Sequence, residues 1–282
     1  MTSNPSQNAL TKLINEKLET ETLLLPTLAE VATEVREAID QHQHCSTREL
    51  AQIISRDPAT AARLIQVANS PLYSSGLNQI DSIEKAILLL GQDKTSSLVT
   101  SIAIKQFFSP EKHSLSDLLA EIHQQTLSVA SISRGMALFA PNLNPETAML
   151  AGLVHQIGKL PLLQLLDEVE ISLQPEKIQA ILEDAHQEIG TLILKKWGFP
   201  TELVAIPNEY LLFDDCLDEE VTYTDIVMVA YLQSCVGSTN PHSNIDWSTV
   251  CAFKKLGIKP TLEVLSAKNI KKEIEEALAA LS

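Results

Sequence analysis

A few groups of side chains have the types and proximity to do chemistry on their own. His42, His44 and Cys45 bring borderline and soft metal donors together within four residues. Such a cluster holds zinc only when a second ligand group closes the site. None follows at a matching spacing, so the cluster reads as exposed loop. The acidic run Asp214, Asp215, Asp218, Glu219 and Glu220 offers hard oxygen donors for calcium. It lacks the alternating ligand spacing and central glycine of a calcium loop and reads as solvated. Asp57 is a carboxylate placed directly before Pro58, where capping a helix is a sufficient role. Cys45, Cys216, Cys235 and Cys251 show no CxxC spacing, which favours reduced structural thiols over a zinc site or a disulfide framework.

The elements that would position these groups read as helices throughout. Ser46 and Glu49 have the capping-box spacing ahead of Leu50, Ala51, Ile53 and Ile54, because each side chain can satisfy a free amide of the first turn. Asp57-Pro58 starts a second helix, predicted to run to about Asn69. Asp81 and Glu84 repeat the capping box before a short, buried helix that Gly91 should close in a left-handed cap. Leu98, Val99, Ile102, Ala103 and Phe107 form one apolar stripe. A long helix follows from about Ser116 to Phe139, then Asn144-Pro145 start one over residues 145 to 157. Gly158 and Pro161 should break the chain before helices over 161 to 171 and 175 to 197. The segment from Val221 to Gly237 contains β-branched residues but is too long for an ordinary strand and repeats Ile226, Val229, Ala230 and Leu232 at helical intervals. Ile270, Ile274, Ala277, Leu278 and Leu281 give a last amphipathic helix.

Composition agrees with an all-α fold of two units. The chain has 282 residues, 45% of them hydrophobic, and only 9 glycines, where average usage near about 7% would give a sheet protein many more turn residues. Acidic residues outnumber basic ones 36 to 21, for a net charge of −15. That charge opposes nucleic acid and anionic lipid as partners. The densest basic stretch, Lys268 to Lys272, is followed at once by acids and reads as a solvated helix face. The polar N-terminus lacks a signal-peptide pattern, and no apolar run approaches the roughly 20 residues of a membrane span, so a cytoplasmic protein is expected.

The stretch DPATAARLIQVANSPLYSS over residues 57 to 75 resembles the signature of the HDOD family, HD-related output domains of bacterial signalling proteins. Leu25-Pro26, IDSIEKAILLLG, AGLVHQIGKLPLL and HQEIGTLILKKWGFP follow in the expected order. Asp57, Pro58, Asn69, Ser70 and Gly91 are signature positions of the first part, and Gly152, Gly158, Trp197 and Pro200 of the second. The turn at Asn69, Ser70 and Pro71 is read as packing of helix ends, with partner binding as the alternative.

The resemblance implies an N-terminal helical lobe over residues 23 to 112 and a degenerate HD-like lobe over 113 to 237. A 1–22 extension and C-terminal helices over 238 to 282, packing on the core, complete the chain. Active HD relatives bind divalent metal through a His on the first helix of that lobe, a His-Asp pair, further His residues and a late Asp, and use it to activate water. At the matching positions this chain has Gln125, His155 followed by Gln156, His186 and Tyr231. A hard cation needs anionic oxygen, which Gln156 lacks. His123 is two residues from Gln125, about 200° round the helix, and cannot replace it. PNEYL stands where a double His would follow the WGFP turn. The expectation is therefore a vestigial cleft with no metal, no cofactor and no catalytic residue. The lead reading is a regulatory module acting through protein partners, whose input comes from another polypeptide or a small ligand. The alternatives are a phosphohydrolase with an atypical site and a nucleotide or small-molecule sensor using the cleft. Gln156 separates the enzyme from the other two.

Overall fold

The structure, a computed structural model, describes residues 12–14, 16–17, 20, 22–41, 45–74, 79–108, 115–168, 175–214, 220–238, 240–260, 272, 274–277 and 279. His42, His44, Asp215, Asp218, Glu219, Cys216, Ile270, Leu278, Leu281 and most of the basic stretch lie outside them, while Asp214 and Glu220 are exposed.

Among the described residues the chain is helical with no strand. Five helices come first: α1 (Glu30–Gln41), α2 (Thr47–Ile54), α3 (Pro58–Ala68), α4 (Ile83–Leu90) and α5 (Gln92–Lys105). Then follow α6 (Ser116–Met136), α7 (Pro145–Val154), α8 (Lys159–Glu168), α9 (Pro175–Lys196), the short α10 (Thr201–Val204) and α11 (Ile206–Glu209), α12 (Tyr223–Ser234) and α13 (Cys251–Lys255). α6, α7 and α12 pack side by side as the centre of the second half, α9 packs on α8 and on α11, which in turn touches α7 and α12, and α5 joins the two halves by packing on both α1 and α7.

Local chemistry explains most starts. Ser46 and Glu49 make both bonds of the capping box, and Asp57 and Asn144 accept from the first-turn amides of α3 and α7. α4 departs from the reading in two ways. Ser82, not Asp81, caps it through Lys85 N, because Asp81 is drawn into an ion pair with Lys85. The helix is also not buried all round, since Leu88 and Leu89 are 73% and 45% exposed. Gly91 has the positive φ expected, 80°, but with ψ 166° it joins α4 directly to α5. That backbone is nearly closed to side-chain-bearing residues.

α7 ends at Val154, earlier than predicted, and Pro161 falls inside α8. Proline is tolerated there because the first-turn amides lack intrahelical acceptors. Residues 145–167 together are long and apolar enough to cross a membrane, but 89% of an apolar 18-residue window within them is buried in the fold. Cys45 and Cys235 are free and buried, whereas Cys251 is disulfide-bonded, contrary to the expectation of reduced thiols.

Signature residues make contacts that tie segments together. Asn69 donates from Nδ2 to Ile65 O and Ile80 O and accepts from Ile80 N at 2.8 Å, holding the chain before α4 against the end of α3. Tyr73, in the turn after Ser70 and Pro71, packs its ring under the guanidinium of Arg134 of α6 at 5.6 Å. Arg134 in turn pairs with the buried Glu146 of α7 at 3.2 Å. Trp197, in the turn after α9, donates Nε1–H to Pro26 O at 3.0 Å and stacks on Phe107. Arg36 of α1 donates to Trp197 O and Gly198 O and lies 4.1 Å over the Phe199 ring. The charge of Arg36 thus meets the carbonyl end of α9, where the helix dipole favours a cation.

Candidate functional site

Gly152 and Gly158 let the backbones that carry the site approach. A Cβ on Gly152 would lie 2.5 Å from Ala130 Cα of α6, and one on Gly158 would lie 2.0 Å from His186 O and 2.6 Å from Gly190 N of α9. Neither is sterically open to alanine without backbone movement. The turn between them presents His155 and Gln156, both fully buried.

The expected residues gather, with two surprises in how they pair. His155 directs Nδ1 to Gly152 O at 2.6 Å, while Nε2 has no protein partner. His186 is fully engaged: Nδ1 faces Leu182 O and Glu183 O, and Nε2 meets Tyr210 Oη at 2.9 Å. Carbonyls only accept, so Nδ1 of each ring carries the proton, and the Tyr210 hydroxyl donates to His186 Nε2. Tyr210 is the tyrosine of PNEYL, so the segment that lost the double His supplies a neutral partner to the remaining one. Gln156 donates to Gln125 Oε1 at 3.3 Å, and its own Oε1 has no partner. Gln125 reaches Cys235 Sγ at 3.8 Å.

Tyr231 is the second surprise. Its ring packs edge-on against His155 and Tyr210, but its hydroxyl turns away to His242 Nδ1 at 2.9 Å and accepts from Asn240 Nδ2 at 3.1 Å. Burial first, and the Lys105 ammonium second, hold the His123 imidazole below its ordinary value.

Burial sets the charge state. Desolvation pushes His155 down to about 3 and His186 down to about 4, with Lys159 opposing their protonation further. Both imidazoles are neutral at neutral pH. Desolvation also raises the phenols of Tyr210 and Tyr231, keeping them protonated.

Sequence reading missed an ion pair at the mouth of this site. Lys159, three residues after Gln156 at the start of α8, donates to Glu183 Oε1 of α9 at 2.6 Å. Its side chain is only 4% exposed. Burial disfavours the charge on both groups, but the nearby ammonium overcomes this at Glu183 and holds its carboxyl below the ordinary range. Beside the pair opens a cleft of about 530 Å³ between α6, α8, α9 and the end of α12. HQIGKL could have signalled Lys159, but nothing local marks Glu183 as its partner, 24 residues on.

The metal that the resemblance implies for active relatives does not fit these donors. His186 has neither nitrogen available, Gln156 brings no charge, and the charge of the Glu183 carboxylate is already matched by the Lys159 ammonium on Oε1. Among the described residues no group of three His, Cys, Asp or Glu side chains could hold a metal ion. The arrangement can donate and accept hydrogen bonds, but it lacks the anionic oxygens that anchor a hard dication.

Comparison with known proteins places the fold. No curated protein matches the chain. Among solved structures, a "putative metal-dependent phosphohydrolase" from Shewanella amazonensis SB2B is 27% identical with a TM-score of 0.83, covering 98% of this chain and 99% of that one. An HDOD domain protein of unknown function from Geobacter sulfurreducens is 22% identical with a TM-score of 0.68, covering 97% of each chain. A "putative signal transduction protein" from Marinobacter aquaeolei VT8 is 17% identical with a TM-score of 0.61, covering 96% of this chain and 65% of that one. The sequence profile of the HDOD domain matches residues 25–209, well over half of the 282 residues. The chain therefore belongs to the HDOD domain family.

Proposed function

We propose that this protein is a non-catalytic regulatory module of signal transduction that acts through contacts with protein partners. The observation that supports this reading is the state of the relic HD site, where His186 is held by Tyr210 and two carbonyls while Gln156 occupies the carboxylate position. Water activation at phosphorus needs a metal held by anionic ligands, and these side chains supply none. The second reading, a phosphohydrolase, takes its support from the name of the Shewanella protein at 27% identity.

Elemental analysis of purified protein separates the two. The expected result is no stoichiometric Mn²⁺, Fe or Zn²⁺ and no turnover of phosphomonoesters or phosphodiesters. Stoichiometric metal that is lost in His155→Ala would overturn the regulatory reading. Gln156→Asp adds a sharper arm, because it buries a carboxylate without a counter-ion. This variant should be less stable than wild type and gain nothing from millimolar Mn²⁺. Stabilisation of the variant by Mn²⁺ would mean that the other ligands are still competent.

A further inference from the structure

We infer that the cleft beside the relic site binds a neutral, hydroxyl-rich small molecule, recognised through the Lys159–Glu183 pair. A volume of about 530 Å³ is within the range of small-molecule pockets. What marks it as a binding site is the incomplete pairing of two residues in its lining. Lys159 is almost wholly buried yet makes one side-chain hydrogen bond, to Glu183 Oε1, so an ammonium with three protons has donors to spare. Glu183 Oε2 is buried with no protein partner and needs a donor. A hydroxyl both donates and accepts, so adjacent hydroxyls on one ligand answer both needs. The amides of Gln125 and Asn240 and the hydroxyl of Ser238 line the same wall.

Charge selects against other ligands. The single ammonium is already matched at 2.6 Å, and Glu121 adds a second carboxylate to the lining. An anion therefore meets a wall with net negative charge, on a protein whose own net charge is −15. A cation is drawn by Glu121, but to reach Glu183 it must sit beside the Lys159 ammonium, which offsets the attraction at the pair itself. A neutral polyol, free sugar or unphosphorylated nucleoside suffers neither penalty. This inference goes beyond the protein-contact reading by giving the module an input, and it rests on that reading only in taking the relic site as metal-free.

The test is calorimetric titration of the intact chain with maltose, adenosine and AMP, all in EDTA so that bound metal has no part in the outcome. Maltose carries hydroxyls alone, while adenosine and AMP share a ribose and differ by a phosphate. Saturable binding of maltose or adenosine, with AMP at least about tenfold weaker than adenosine, is the expected result. Ser238→Trp, at an exposed position on the cleft wall, should weaken that binding by at least about tenfold with an unchanged circular dichroism spectrum. Glu183→Gln should narrow or reverse the preference against AMP, because it leaves Lys159 uncompensated. The inference fails if neither maltose nor adenosine binds, if AMP binds wild type as tightly as adenosine, or if Ser238→Trp leaves binding unchanged. Loss of metal-free status would show in elemental analysis, which is independent of these titrations.

Discussion

α9 carries two regions of opposite character. At its C-terminal end the turn is tied to the N-terminal half by matched groups: Trp197 Nε1–H on Pro26 O, and the Arg36 guanidinium on two carbonyls and a ring face. Three turns earlier, around Glu183 and His186, buried His155 Nε2, Gln156 Oε1 and Glu183 Oε2 are left without a protein partner. Leaving a buried polar atom unpaired costs about 1–3 kcal/mol. A region that served packing alone would be more stable with apolar side chains there, as the first region's stacked rings are. The difference separates a junction built for cohesion from a cleft that keeps hydrogen-bonding capacity in reserve.

The severest way to break the cleft region is Gly158→Ala. The added Cβ would overlap His186 O and Gly190 N, which are backbone atoms of α9 and cannot rotate away. A loss of about 4 kcal/mol or more is expected, enough to give little folded protein, read from yield and urea melts. A loss below about 1 kcal/mol would mean that α8 and α9 separate easily and that the site is not a rigid frame.

Acid should weaken the cleft region selectively. Above the ordinary histidine value of about 6.5, folded and unfolded imidazoles are both neutral and contribute no pH dependence. As pH falls below that value, the unfolded chain binds protons that His155 and His186 refuse until about 3 and about 4. Stability is therefore present above about pH 6.5 and lost on acidification. Between pH 7 and pH 5 the two residues should together cost on the order of 3–4 kcal/mol. His155→Gln should remove roughly half of that slope in urea melts. An unchanged slope would show that water reaches the ring.

The junction is tested by Arg36→Ala, which removes two charge-assisted hydrogen bonds and a cation–π contact. The expected loss is about 2–3 kcal/mol, with Arg36→Lys recovering only a part because an ammonium cannot fork across two carbonyls. A neutral result for Arg36→Ala would show that the turn is held by Trp197 and Phe199 alone.

Sequence reading found the parts of this picture that are local. Ser46 with Glu49, Asp57 with Pro58, and Asn144 with Pro145 announce helix starts because the capping group and the amide it satisfies lie within a few residues. Asp81 has the capping-box spacing with Glu84, but Ser82 beside it can cap as well, and only the competing pull of Lys85 on Asp81 decides. Resemblance located Gln125, His155, Gln156 and His186 together, but not their pairing. Tyr210 on His186 and Glu183 on Lys159 join residues 24 apart, and Arg36 reaches Trp197 across 161. No periodicity encodes such partners. Resemblance assigns Tyr231 to the late-Asp position of the cleft; its ring packs on His155, but its hydroxyl serves His242 and Asn240, which the motif does not include.

The smallest effect belongs to Asp57, distant from both regions and useful as a control for them. Its Oδ1 accepts from Ala59 N at 3.1 Å and its Oδ2 accepts from Thr60 Oγ1 at 2.7 Å, where the buried threonine fixes the cap. The Thr60 hydroxyl, more than the backbone amides, holds the carboxyl below its ordinary value. Asp57→Ala should lower stability by about 0.5–2 kcal/mol, the usual cost of an N-cap, without changing ligand binding in the cleft. Asp57→Asn keeps one acceptor oxygen for the cap, but its amide nitrogen cannot accept from Thr60, so it removes that bond together with the charge that favours the helix dipole. The depressed carboxyl contributes stability at pH values above its unfolded value of about 3.9, and loses it as pH falls through the lower folded value. The gap between wild type and Asp57→Asn should therefore be widest at neutral pH and close in strong acid, the opposite end of the scale from the histidine effect, which begins near about pH 6.5. A gap that closes together with the histidine transition would show that α3 and the cleft unfold as one coupled unit, and the control would become evidence that the two halves of the chain communicate.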